Sequence, residues 1–465
     1  MLFSDPTFFL FFVIYFPLHI LLPPRFRIYL IILGSAVFYS FWNPVYIVMP
    51  VALAAIGWAG ASWLRNSGQP QRTHLIVVIT VILLPLLIVK YSYFVANEVI
   101  QPFANLHAWF DIEKLRFRLP LGISFITFTL IAYVVETFRK DTARQSFRIV
   151  LGYVLFFPHL IAGPILRPRE LMPQLAEPRA AMGARFKLGL GIFTLGLVKK
   201  LVFADQISSL VDHVYATPGG LSAWEHVLAI YGFSMQIYCD FSGYTDMAIG
   251  IALVLRIRLP GNFRQPYASG SIIDFWRRWH ITLSNWLRDF LYIPLGGNRG
   301  NGFKRFRNII VTMVLGGLWH GANWTFIIWG LFHGLTIALL HVVRPLMGRS
   351  VTRLPAWISV VITFHFVAFL WVFFRAPDVS TALRIFEGLF SGPWSNGVSV
   401  IRIHLFETAL ILAFLVTHKF DNHARVRMAM RLIPSSVIWP AVMACWFISI
   451  AVSQGSSAKF IYFDF

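Results

Sequence analysis

Charge and sulfur are both scarce in this chain. Of 465 residues, two are cysteine, and charged residues make up 13%, with 20 Asp and Glu against 40 Lys and Arg. Cys239 and Cys445 each sit in or beside an apolar run, which excludes a disulfide framework and a cysteine metal site. The segment Met1 to Leu22 contains no Lys or Arg and is followed by no small-residue cleavage site, so an uncleaved first helix with Met1 outside is expected. The histidines are scattered, and the one short pair is His418 and His423. Multi-histidine clusters of the kind that bind iron in membrane enzymes are missing, so no metal is expected. No internal repeat, low-complexity tract or long linker divides the sequence. The expectation is one membrane-embedded domain, 1–465, carrying an extracytoplasmic tail at 455–465.

What the chain has is apolar bulk: 57% hydrophobic residues, 45 Phe, 16 Trp and a mean hydropathy of +0.67. Apolar segments fall near 7–22, 28–42, 45–63, 75–97, 119–137, 149–165, 224–255, 309–340, 356–374, 403–418 and 435–452. Many match a hydrocarbon core of roughly 30 Å, where backbone hydrogen bonds close only within helices or a sealed barrel. The runs are continuous, without strand-like alternation, and predict an all-α polytopic membrane protein.

The net charge of +20 sits in short links instead of one basic face. Positive-inside topology explains it, and no nucleic acid is expected. Arg25, Arg27, Arg65 and Arg72 mark alternate links as cytoplasmic, and counting crossings leaves both termini outside. The segment 104–118 mixes Trp109 and Phe110 with charges, as an outer interfacial segment would.

Two stretches resist simple crossing. A full span at 149–165 would carry Arg167, Arg169, Arg179, Arg185 and Lys187 outside, so a re-entrant loop at Phe157 to Pro164 is expected, lined by protein or by a water-filled cavity. The stretch 224–255 is long and carries Gln236, Asp240, Ser242, Tyr244, Thr245 and Asp246; it either breaks or lines the interior.

The chemistry concentrates in three places. In Asp274 to Asp289, charge and tryptophan alternate. On one helix Arg277, His280 and Ser284 would share a face, with Trp276, Trp279 and Trp286 anchoring at the interface; a plain snorkelling amphipathic helix is the competing reading. Second, His320 lies within 309–340, read as a membrane-buried helix, where an ionisable group is expensive and a functional candidate by default. Its glycine neighbours allow close helix approach or a break. Trp319 and Trp324 would wall a dry pocket, and Asn323 would reach the same side. A histidine that merely bonds two helices is the alternative. On a continuous helix His333 would point roughly 220° away from His320, so it reads as packing. A neutral imidazole suits general-base work on a hydroxyl attacking an acyl group.

These motifs resemble the membrane-bound O-acyltransferase (MBOAT) family in its bacterial alginate O-acetyltransferase-like branch. The resemblance runs essentially end to end. It rests on Leu119 to Phe125, Leu160 to Ile165, Gln236 to Ala248, Phe275 to His280, Tyr292 to Gly297 and Gly317 to Ala322. It implies a ring of transmembrane helices with re-entrant and interfacial segments around a central tunnel. It implies His320 as the essential histidine and His280 as a second polar position, where many eukaryotic relatives carry asparagine. Arg277, Arg278, Trp279, Ser284, Asn323, Gln236 and Asp240 are candidate donor- or substrate-binding residues. Arg277, Arg278, Arg288, Arg299, Lys304, Arg305 and Arg307 are placed to attract coenzyme A phosphates, although positive-inside topology also explains them. The resemblance further implies acetyl-CoA or another acyl thioester as a cytoplasmic donor substrate, no tightly bound cofactor, and residence in the bacterial inner membrane.

The third place is the tail, Phe460 to Phe465. An aromatic end can simply anchor in the headgroups. In this branch it resembles an acyl-transfer motif whose tyrosine, matched by Tyr462 with Phe460 and Phe465 around it, hands the acyl group to an extracytoplasmic SGNH-type transferase and on to a polysaccharide. Two other readings stand beside this one. A direct acyltransferase acting on a lipid or protein would not need Tyr462. A transporter or flippase would also show buried Asp240, Asp246 and Glu136, and its His320 would be structural.

Overall fold

Long apolar runs leave the backbone no partner but itself, and every regular element among the described residues is a helix. The computed structural model describes residues 1–67, 71–104, 111–142, 145–177, 183–346, 355–453 and 460–461. Outside these lie residues 105–110 of the expected interfacial segment, with Trp109 and Phe110, Arg179, part of the basic link 344–353, and Tyr462 and Phe465 of the tail.

Five helices among the described residues are long and apolar enough to cross a membrane: Pro44–Asn66, Arg72–Ile100, Trp324–Val343, Ala356–Arg375 and Ser435–Val452. Gly397–Ile403 and Leu405–Phe420 form a sixth, apolar pair bent by 87°. Pro6–Leu21 and Ile123–Phe138 are shorter apolar helices. Side chains such as Val13 at 70%, Leu33 at 63% and Phe447 at 75% face outward. Apolar exposure on this scale belongs to a surface bathed in lipid. This is a multi-pass membrane protein.

Contacts divide the chain into two compact units, residues 1–193 with 248–260, and 194–247 with 261–465. In the first unit the suspected re-entrant stretch breaks as its Pro and Gly content demands. Helix Phe147–Leu155 gives way to a single turn at Phe157–Leu160, then irregular backbone to helix Pro168–Ala176. This non-helical backbone is buried and bonded by side chains: Tyr153 donates its hydroxyl to the Leu166 carbonyl at 2.7 Å, and the His159 Nε2 lies 2.8 Å from the Tyr153 carbonyl. Gly122, in a left-handed conformation at φ 73°, packs on this turn; a Cβ there would come within 2.5 Å of the Leu160 carbonyl oxygen. Two of the sequence motifs therefore meet, because one lets the other's backbone approach.

The second unit is built on aromatic residues. Its core gathers Tyr238, Tyr267, Phe275, Trp279, Trp329, Trp371 and Phe374, all under 9% exposed. The stretch 224–255 does not break: Ala223–Val254 is one helix of 32 residues, and its polar residues line the interior, with Asp240 at 2% and Asp246 at 5% exposed.

The run 309–340, expected as one helix, is two. Helix Gly302–His320 ends at the histidine, and a new helix starts at Trp324. The pair folds back on itself because glycines remove the side chains that would hold it apart. A Cβ on Gly317 would sit 2.2 Å from the Phe326 carbonyl oxygen, and one on Gly330 2.4 Å from that of Met313.

Candidate active site

His320 closes its helix with 3% of its surface exposed. Its ring is walled by Trp319, Trp329 and Phe374, with centroids 4.9, 5.3 and 5.0 Å away. Because the chain reverses after His320, His333 does not point away as a continuous helix required. It contacts the same Trp329 at 4.8 Å and accepts a hydrogen bond at Nδ1 from Trp276 Nε1 at 3.3 Å.

His280 is set differently. The chain around it is not one amphipathic helix: Ile272–Trp276 ends, residues 277–280 turn, and Ile281–Leu287 begins. His280 itself adopts φ 41°, a strained left-handed conformation for a side-chain-bearing residue. Asn262 explains where the ring is held. Its Oδ1 accepts from the Thr282 amide at 3.1 Å and the Thr282 hydroxyl at 2.9 Å, and lies 3.2 Å from His280 Nδ1. An oxygen that accepts can take only a donor, so Nδ1 carries the proton and Nε2 keeps its lone pair. That Nε2 is buried and has no hydrogen-bond partner among the described residues. Burial pushes the His280 pKa down to about 3, so the ring is a neutral acceptor at physiological pH.

The two histidines share one neighbour, since the Trp319 indole lies 6.0 Å from His280 and 4.9 Å from His320. On its other contacts His280 meets Phe241 at 4.7 Å, and Phe241 meets Phe460 of the tail at 6.1 Å. Phe460 is fully buried, also touches Tyr244 at 4.8 Å, and is followed by Ile461, whose amide donates to Asp240 Oδ2 at 2.7 Å. One aromatic file thus runs from the start of the tail through His280 to His320.

The remaining candidates separate. Trp279 is not an interfacial anchor; it is 1% exposed, stacks on Phe275 at 5.6 Å and meets Trp371 at a tilt at 4.9 Å. Gln236 is buried on the long helix, and its Oε1 lacks a hydrogen-bond partner among the described residues. Asp240 pairs with Lys200 at 2.9 Å. Arg277 is exposed and Arg278 pairs with Asp274 at 2.9 Å. Ser284 donates to the Trp279 carbonyl at 3.3 Å and lines a separate cleft of about 250 Å³ with Trp276, Arg288 and Tyr292. Asn323 does not reach His320's side. It caps the second helix, accepting from the Thr325 amide at 3.0 Å and donating to the Pro377 carbonyl at 2.7 Å; Trp324 is 43% exposed.

Sequence reasoning missed Asn262, Phe241, Trp329, Phe374 and the lysine pair Lys199 and Lys200. The lysines had a signal: two adjacent cations in the apolar run Gly189 to Ala204 need paired carboxylates. Asn262, far from any motif, had none.

Residues 34–376 match the family described as MBOAT, membrane-bound O-acyltransferase family. The chain is 40% identical over 450 residues to the probable alginate O-acetylase AlgI of Pseudomonas aeruginosa, covering 91% of this chain and 82% of that protein. It is 37% identical over 404 residues to a peptidoglycan O-acetyltransferase of Helicobacter pylori, 80% of this chain and 75% of the relative. A teichoic acid D-alanyltransferase of Bacillus subtilis is 29% identical over 274 residues, 55% of this chain and 69% of the relative.

Proposed function

Because this chain belongs to the membrane-bound O-acyltransferase family, and is therefore an acyltransferase and not a transporter, we propose that it moves acetyl groups from a cytoplasmic thioester to an exported polysaccharide by way of its own tail. The donor is acetyl-CoA. His320 takes the proton from the Tyr462 hydroxyl as the oxygen attacks the thioester carbonyl. The carbon–sulfur bond breaks, the tyrosyl ester forms, and the proton passes to the departing thiolate. An extracytoplasmic SGNH-type transferase then moves the acetyl group to a polysaccharide hydroxyl, which restores Tyr462. His280 presents the Nε2 lone pair beside the same Trp319 and orders a hydroxyl within reach.

The observation that supports this reading best is the aromatic file joining Phe460 to His280 and His320 through Phe241 and Trp319. Burial of two imidazoles and of the tail's first residues in one core is hard to reconcile with a tail that only anchors in headgroups. Alginate-like polymer is the acceptor favoured by the relatives' names, the inner membrane is the location, and both termini face outward.

The test is reconstitution. Proteoliposomes given acetyl-CoA on the cytoplasmic side, with the extracytoplasmic transferase and alginate on the other, should yield O-acetylated polymer. Acetylation independent of the thioester, or equally fast with donor on the outer side alone, would reject the scheme.

A further inference from the structure

We infer that Asp240, braced by Lys200, is the positioning residue that seats the tail by its backbone and so delivers Tyr462 to the reaction. This rests on the relay proposed above.

Asp240 is 2% exposed near the middle of the 32-residue helix. A carboxylate in such a place demands partners, since an unpaired buried charge is strongly destabilising. Its Oδ1 lies 2.9 Å from Lys200 Nζ, and Lys200 also reaches Asp205 at 2.7 Å. One cation thus bridges two carboxylates. The second oxygen, Oδ2, takes the Ile461 amide at 2.7 Å, a charge-assisted bond of the stronger kind.

The lysines face inward because the helix loosens into a π-turn at Lys199–Ala204, a distortion often found at functional places. Lys199 serves a different group, with Asp246 and Asp421 both at 2.6 Å. Lys200 is thus the cation that braces the tail's acceptor.

The aromatic contacts give the seat a direction. Asp240, Phe241 and Tyr244 lie within one turn of the same helix, and Phe460 packs on both rings while the next residue bonds the carboxylate. Phe241 in turn contacts His280. Consecutive Cα atoms are about 3.8 Å apart, so fixing the Ile461 amide limits where Tyr462 can begin. A backbone hydrogen bond reads no side chain, which fits an anchor placed next to the residue that must carry the acyl group.

The test reads tail release without chemistry. Ile461→Cys is placed in a Cys445→Ala background, in membranes, and maleimide labelling of the C-terminal peptide is timed by mass spectrometry. The parent should label slowly. Asp240→Asn, which loses the charge, and the triple variant Lys200→Met with Asp240→Leu and Asp205→Asn, which removes the cation together with both carboxylates it bridges, should label at least about tenfold faster. Cys239, buried beside the site, reports folding by staying unlabelled. In otherwise native chains both variants should lower kcat for acetyl transfer and leave KM for acetyl-CoA unchanged. Labelling rates equal to the parent in a folded triple variant would overturn the anchor. Failure of the relay reads separately, as wild-type transfer by Tyr462→Phe whatever the labelling shows.

Discussion

The imidazole of His280 meets the indole of Trp319 edge to face, centroids 6.0 Å apart at 67°, and the same indole meets His320 at 4.9 Å and 76°. Trp319 is the spacer that sets the two histidines relative to each other. Trp319→Ala should destabilise the protein by about 3–5 kcal/mol through the cavity it leaves. Trp319→Phe should keep the fold yet lower acetyl transfer on the order of a hundredfold, as a displacement near 1 Å does. Thermal unfolding in detergent and turnover, measured together, separate the two effects.

His280 titrates far below neutrality, near 3, because burial disfavours its charged form. It therefore stays neutral across pH 5 to 9 and cannot produce an acid limb in that range. His280→Asn should lower kcat and leave the midpoint of any acid limb where it stands in the wild type. A midpoint that moves on substitution would place the titration on His280.

His423 behaves oppositely. Burial acts to lower its pKa, but the Asp246 carboxylate at 2.7 Å outweighs this and raises it above the ordinary histidine value. A raised folded pKa contributes stability that is complete below the unfolded value near 6.5 and fades as pH rises through the folded one. The melting temperature should fall between pH 6 and pH 9 in the wild type, and His423→Gln should flatten that decline.

The hairpin behind His320 depends on Gly317. A methyl there meets the Phe326 backbone at 2.2 Å, whereas on Gly316 it meets only the Leu287 side chain at 3.1 Å. Gly317→Ala should lose about 1–3 kcal/mol of stability and most activity, with Gly316→Ala far milder. Equal tolerance of the two, by melting temperature and turnover, would refute the close approach.

Much of this was written in the chain. Unbroken apolar runs gave helices, and the conflict between basic residues and a full crossing at 149–165 exposed the broken element now seen around Leu160. His320 stood out because an imidazole in an apolar run is conspicuous. Periodicity failed where backbone overrides it. It could not tell that Gly321 ends a helix, that His280 takes a left-handed turn, or that 224–255 continues unbroken through Asp240 and Asp246, whose charges are matched by lysines on another helix. Those outcomes depend on partners distant in sequence, and so does the seat for Ile461.

The most direct test is the acetyl state of the C-terminal peptide. Purified wild type incubated with labelled acetyl-CoA should carry label on Tyr462, while His320→Ala and Tyr462→Phe should carry none, with thioester cleavage in His320→Ala reduced at least about a hundredfold. Undiminished thioester turnover in His320→Ala would contradict the central claim.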